Sequence, residues 1–266
     1  MLVTHHDSLF ATRALRPRRR EYARSAFRFA TMFASTGLYG AWLGLVSAWR
    51  GVDPTRSARL TQHWSRRLLR GLGIRVQVFG TRDDSAAILV ANHRSYIDIP
   101  LVAATRPVAF LAKSEISRWP VIGTCARVAG TVFVRRGDTD SQREARETLQ
   151  QRASRGEAVA LFPEGTTFAG PGHLPLRRGI FHSAVSAEVA VAPVALVYQH
   201  RDLAYVDDHS FVPHFLDVMR RRRQRAFVSF GPAMRGDCPY ELHERVTAWM
   251  TRETARLERL ATAEAA

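Results

Sequence analysis

Twenty-one consecutive residues without a charge, Phe29 to Trp49, stand near the start of this 266-residue chain. A helix needs roughly 20 apolar residues to cross a hydrocarbon core about 30 Å thick, so the length permits a span. Seven of the 21 are Gly, Ser or Thr, which lowers the hydrophobicity and suits a helix lying in or dipping into the interface. Arg13, Arg16, Arg18, Arg19, Arg20, Arg24 and Arg28 precede the run, and Arg50, Arg56, Arg59, Arg66, Arg67 and Arg70 follow it. Positive flanks prefer the cytoplasmic side. An in-plane or re-entrant helix on the cytoplasmic face satisfies both flanks better than a single crossing. The stretch begins late for a secretory signal and lacks a clear small-residue cleavage site, so it is expected to stay attached.

After this run, Pro54 to Leu72 has the pattern of a basic amphipathic helix. Leu60, Trp64 and Leu68 recur at i, i+4 and i+8, and Pro54 stands at the start. Such a stripe suits either packing on a soluble body or a membrane surface. From Gly73 onward the pattern alternates. Strands are expected over 74–79, 87–91, 108–112, 131–135, 158–162 and 191–198, with the clearest helix over 139–154 and a closing helix over 240–263. This alternation implies an α/β domain built on a central sheet flanked by helices. The expected division is a basic tail with membrane-associated helices over 1–72 and a catalytic domain over 73–266.

The formal charge of +15 attracts anionic partners over long range, be they lipid, phosphate or nucleic acid. Arginine is the default cation here, since Lys113 is the sole lysine. Cys125 and Cys238 form no disulfide framework and no metal-ligand spacing, which fits a reduced compartment, and no metal is expected. His5-His6 and Asp207-Asp208-His209 with His214 also lack a metal spacing. The run Arg220 to Arg223 with Arg225 suits a solvated basic face.

Asn92, the sole asparagine, directly precedes His93 where the apolar strand 87–91 runs out. Strand ends are where α/β sheets place their sites. Asp98 follows five residues later, so the two side chains meet only if the chain turns between them. A carboxylate fixes the tautomer of an imidazole and stabilises its cation, while the imidazole takes a proton from an alcohol. With no G-x-S-x-G nucleophile elbow in the chain, direct attack by a substrate hydroxyl is expected rather than an acyl-enzyme. Ten histidines and twelve aspartates generate about half a chance H-x-x-x-x-D, so the spacing acquires meaning only from its context.

Four ordered motifs supply that context: Asn92-His93 through Asp98, Gly130 through Phe133 to Arg136, Phe162-Pro163-Glu164-Gly165-Thr166-Thr167, and Val191-Ala192-Pro193-Val194. Together they resemble the glycerolipid acyltransferases typified by the 1-acylglycerol-3-phosphate acyltransferases, over roughly residues 75–232. Lys113-Ser114-Glu115 through Trp119-Pro120, and Leu176-Arg177-Arg178-Gly179-Ile180-Phe181, are similar to the family between the motifs. Arg135 departs from the acidic residue common there, and Ala192 from a larger apolar one. The resemblance implies a mixed sheet flanked by helices and a membrane-associated O-acyltransferase. Its acyl donor would be acyl-coenzyme A or acyl carrier protein, as a substrate rather than a cofactor, and its acceptor a lysolipid hydroxyl.

Within that resemblance His93 is the base and Asp98 its partner, while Arg136, Glu164, Gly165 and Thr166 bind the acceptor. Asn92, Phe133, Pro163 and Pro193 support the site, Asn92 by bonding backbone groups at the turn. Lysophosphatidate is the default acceptor, and lyso-ornithine lipid or another lysophospholipid the alternative. A non-catalytic nucleic-acid-binding protein is the competing class. The charge favours it, but no nucleic-acid-binding signature accompanies the charge, so no specific nucleic acid is expected.

Overall fold

The computed structural model describes residues 19–51, 53–118, 123, 126–127, 129–135, 137–206 and 210–264. Seven strands form one sheet: β1 Ile74–Phe79, β2 Ala86–Ala91, β3 Ala109–Lys113, β4 Val132–Val134, β5 Val159–Leu161, β6 Ala190–Tyr198 and β7 Gln224–Phe230. Their order is β1-β7-β6-β2-β5-β3-β4. All neighbours are parallel except β6 and β7, so the sheet is mixed. The described helices are α1 Arg19–Arg50, α2 Pro54–Leu72, α3 Asp98–Thr105, α4 Thr139–Ser154, α5 Gly179–Ser186, α6 Phe211–Arg220 and α7 Pro239–Ala263.

β2 is buried along its whole length, and its side chains alternate between two cores. Ile88 and Val90 pack with Phe181 of α5 and with Leu242, Val246 and Met250 of α7. Leu89 and Ala91 face Val102 and Ala103 of α3. A strand buried on both faces reads as a continuous apolar run, as Ala-Ile-Leu-Val-Ala does. Helices on both faces therefore hold the C-terminal end of β2, and the turn that follows it, on a rigid base.

β7 has no counterpart among the strands expected from sequence. It lies between β1 and β6, and the arginine run just before it masks its pattern. Gln224, polar but fully buried, donates its amide to the Val218 carbonyl (2.7 Å) and so caps the end of α6.

Asp53 caps α2 by accepting the Arg56 N–H (3.1 Å), and Gly73 closes it in the left-handed region at φ 75°. Its most buried face is not the expected Leu60-Trp64-Leu68 stripe. Ser57, Thr61, Ser65 and Leu69 are buried instead, where α2 packs on α3. Small side chains let the two helices approach closely. Trp64 turns toward α1, stacking on Tyr39 (6.1 Å) and donating to the Thr36 hydroxyl (3.3 Å).

α1 is one unbroken helix of 32 residues, apolar and long enough to cross a membrane, and little of its apolar window is buried. Its first half is tied to the body. The Arg24 guanidinium donates to the Arg220 carbonyl, and that of Arg28 to the carbonyls of Met219, Arg221 and Arg222. Those carbonyls are the open end of α6, where cations are favoured by the exposed acceptors and by the helix dipole. The basic run is thus part joint and part surface: Arg222 and Arg223 are exposed, whereas Arg220 and Arg221 are half-buried. Phe27, Leu38, Trp42, Leu45 and Trp49 of α1 remain exposed.

Candidate active site

The chain leaves β2 at Ala91, turns through residues 92–97 and enters α3 at Asp98, which supplies the bend that the five-residue spacing requires. His93 Nδ1 lies 2.8 Å from Asp98 Oδ2. The same oxygen accepts the backbone N–H groups of Arg94 (2.6 Å) and Ser95 (2.8 Å), and Oδ1 accepts the Tyr198 hydroxyl. Asp98 is completely buried, while the His93 side chain keeps 20% of its surface exposed. A buried carboxylate met by this many donors is fixed in direction. Its acceptance at Nδ1 makes Nδ1 the protonated nitrogen, so Nε2 presents a free lone pair.

The imidazole plane is set from below by Phe162, whose ring stacks on it at 4.2 Å between centroids. Its backbone is gripped as well. Glu164 Oε1 accepts the His93 N–H (3.0 Å), Glu164 Oε2 accepts the Leu174 N–H (3.2 Å), and the His93 carbonyl accepts the Phe168 N–H (2.9 Å). Burial pushes the Glu164 carboxyl up to about 7, against the opposing pull of those two N–H donors. Burial and the Asp98 charge likewise lift the Tyr198 phenol well above its ordinary range.

Asn92 bonds a different backbone from the one expected. Its amide reads β6 rather than its own turn, donating to the Leu196 carbonyl (2.9 Å) and accepting the Leu196 N–H (2.6 Å). The ladder between β2 and β6 reaches Ala91 and Val194, and the side chain of Asn92 extends it.

Pro193 lies opposite Val90, and its carbonyl accepts the Gly231 N–H (2.9 Å). Pro163 is buried, and its carbonyl accepts the Arg177 N–H (3.1 Å). Gly165 sits at φ 77°, a conformation that favours glycine. Thr166 is half-buried in the same turn.

The structure therefore brings His93, Asp98, Asn92, Glu164 and the Gly165 turn together. Phe133 stands on β4, separated from β2 by β5 and β3, at the same end of these parallel strands. Arg136 lies outside the described residues, as do Trp119, Pro120 and the Asp207-Asp208-His209 group. Among the described residues no group of three or more His, Cys, Asp or Glu could hold a metal ion.

Sequence reasoning passed over Tyr198 and Arg94. Arg94 is buried, and its guanidinium donates to the Leu196, Gly170 and Gly172 carbonyls and to Glu258 of α7 (2.7 Å). The available signal was position: Arg94 adjoins the histidine, and Tyr198 ends a wholly apolar strand.

Comparison with known proteins bears on this arrangement. The Acyltransferase family matches residues 74–197. The lyso-ornithine lipid O-acyltransferase of Pseudomonas aeruginosa is 36% identical over 206 residues, covering 75% of this chain and 79% of the relative. The 1-acyl-sn-glycerol-3-phosphate acyltransferase of Neisseria meningitidis serogroup B is 34% identical over 154 residues, covering 56% and 60%. In fold, the chain is similar to the crystal structure of the 1-acyl-sn-glycerophosphate acyltransferase of Thermotoga maritima. The TM-score is 0.71 at 22% identity, covering 90% of this chain and 96% of the other.

Proposed function

The chain belongs to the acyltransferase family, and from that premise we propose that it acylates the free hydroxyl of a lysolipid with His93 as general base. The observation that carries the mechanism is the pairing of His93 Nδ1 with a buried, multiply bonded Asp98, which leaves Nε2 free to take a proton. As Nε2 removes the hydroxyl proton, the oxygen attacks the thioester carbonyl of the acyl donor and a tetrahedral intermediate forms. Collapse of that intermediate breaks the C–S bond, and the imidazolium returns its proton to the departing thiolate. Asp98 stabilises the imidazolium in between. The acyl donor in this reading is acyl-coenzyme A or acyl carrier protein.

Lyso-ornithine lipid moves ahead of lysophosphatidate as acceptor. The Pseudomonas relative of that name aligns with 75% of this chain, against 56% for the Neisseria glycerolipid enzyme. Lysophosphatidate remains the second reading, supported by the motif that ends in Arg136 and by the Neisseria relative. The exposed aromatic side of α1 supports work at a membrane rather than on nucleic acid, and the +15 charge suits the anionic cytoplasmic face of one.

The test is transfer of labelled acyl groups from each donor to a panel of lysolipids by purified protein. His93→Ala should reduce turnover by about 10² to 10⁴-fold. Undiminished turnover in the variant overturns the general-base role, and absence of transfer to every lysolipid overturns the functional reading.

A further inference from the structure

The turn that follows Glu164 carries a cation that the mechanism above does not use. Gly165 has no side chain, and the space a Cβ would take is filled by the guanidinium of Arg177. A Cβ built there would stand 2.7 Å from Cζ, 2.9 Å from Nη2 and 3.0 Å from Nε. The backbone of Arg177 is fixed on the same turn through its N–H bond to the Pro163 carbonyl (3.1 Å). The guanidinium therefore lies flat across the turn whose preceding residue, Glu164, holds the His93 backbone. One reason for glycine at 165 is its positive φ, and this close approach is a second.

This cation is exposed. Arg177 has no carboxylate partner among the described residues. Its neighbours differ: Arg94 is buried and committed to three carbonyls and Glu258, while Arg178 sits over the Tyr240 ring (5.5 Å). Both oxygens of Glu164 accept backbone N–H groups, and its carboxylate forms no ion pair with the Arg177 guanidinium. A planar fork of donors fixed at one end of its side chain and open to solvent suits bidentate recognition of a carboxylate or phosphate.

Resting on the proposed reaction, we propose that Arg177 receives the acceptor's anionic group and so determines which lysolipid hydroxyls reach His93. Lyso-ornithine lipid offers a carboxylate, and lysophosphatidate a phosphate, each a few bonds from the hydroxyl to be acylated. The shared chemistry is an oxyanion next to an alcohol. Holding the anion on the Gly165 turn restrains the hydroxyl beside Nε2, which turns loose membrane binding into a defined approach.

The experiment measures acceptor KM and kcat for full-length wild type, Arg177→Gln and Arg177→Lys. Four acceptors are used: lyso-ornithine lipid, its carboxyl methyl ester, 1-acylglycerol 3-phosphate and 1-monoacylglycerol. The expected result is a rise in KM of about 10- to 100-fold for the anionic acceptors in Arg177→Gln, the size of a lost charge-assisted pair. The rise should be much smaller for the capped or phosphate-free acceptors, and partly reversed in Arg177→Lys.

A carboxylate-specific or phosphate-specific effect identifies the natural headgroup. Inhibition by analogues that lack the hydroxyl, with and without the anion, reads the same interaction should a neutral acceptor not turn over. Arg177→Lys, together with the thermal midpoint, separates an effect of folding from one of recognition. Equal KM changes for anionic and neutral acceptors, or none for either, overturn the proposal while leaving lysolipid acyl transfer standing. Wild type inactive on all four overturns the reaction on which it rests.

Discussion

The Tyr198 hydroxyl donates to Oδ1 of Asp98, the oxygen that does not face His93. It comes from the last residue of β6, so a second strand reaches across to the pair built by the β2–α3 turn. The donor draws negative charge toward Oδ1 and keeps Oδ2 directed at the imidazole.

In Tyr198→Phe the Asp98 carboxylate loses that donor, and the aim of Oδ2 at Nδ1 is loosened. The variant should lose about 10- to 100-fold in kcat, the size of one hydrogen bond to a charged group, with little change in acceptor KM. A rise in KM with kcat unchanged would mean that Tyr198 only shapes the strand end.

Glu164 makes a prediction about stability. Burial raises its carboxyl to about 7 in the folded protein, from an ordinary value of 4.5. Between those values the native protein holds a proton that the unfolded chain has released, so stability should fall as pH rises from about 4.5 to about 7 and level off above. The full change is on the order of 3 kcal/mol. Glu164→Gln lacks this titration, and its unfolding free energy measured in urea should gain on wild type across that window. A constant difference between the two proteins contradicts the burial-driven shift.

Depth-dependent quenching tests how α1 meets lipid. At about 1.5 Å per residue its 32 residues extend about 48 Å, longer than a hydrocarbon core. Trp42 and Trp49 are exposed near its C-terminal end. In anionic vesicles carrying brominated lipids, single-tryptophan versions retaining either residue should both be quenched most by shallow bromines if the helix lies in the plane. Strong quenching of Trp42 by bromines near the bilayer centre would instead favour insertion across the core.

Local signals were enough for much of this molecule. The helix expected over 139–154 appears as Thr139–Ser154, and the strand expected over 191–198 begins one residue earlier, at Ala190. Both are set by periodicity and by nearby polar residues; Asp138, for example, caps α4 through the Ser141 N–H (3.0 Å). His93 and Asp98 were legible because the turn that joins them is itself local. β7 was not, because its parallel neighbour β1 lies far away in sequence and its own flank is a run of arginines. Tyr198 and Arg94 escaped for the same reason: Tyr198 meets Asp98 a hundred residues away, and Arg94 meets Glu258 at greater distance still. The Leu stripe of α2 misled because hydrophobic spacing cannot show that serine and threonine are what a neighbouring helix packs against.

Arg24 and Arg28 plug the carbonyl end of α6, and Phe29 packs edge-on against Phe215 of the same helix (6.2 Å). That grip joins the first half of α1 to the body of the protein. A lipid surface that took up its aromatic side would then set the bearing of the body to which α1 is tied. An amphiphile would arrive by lateral drift instead of escaping into water first, and turnover would follow the mole fraction of acceptor among its neighbours more closely than its concentration in the bulk.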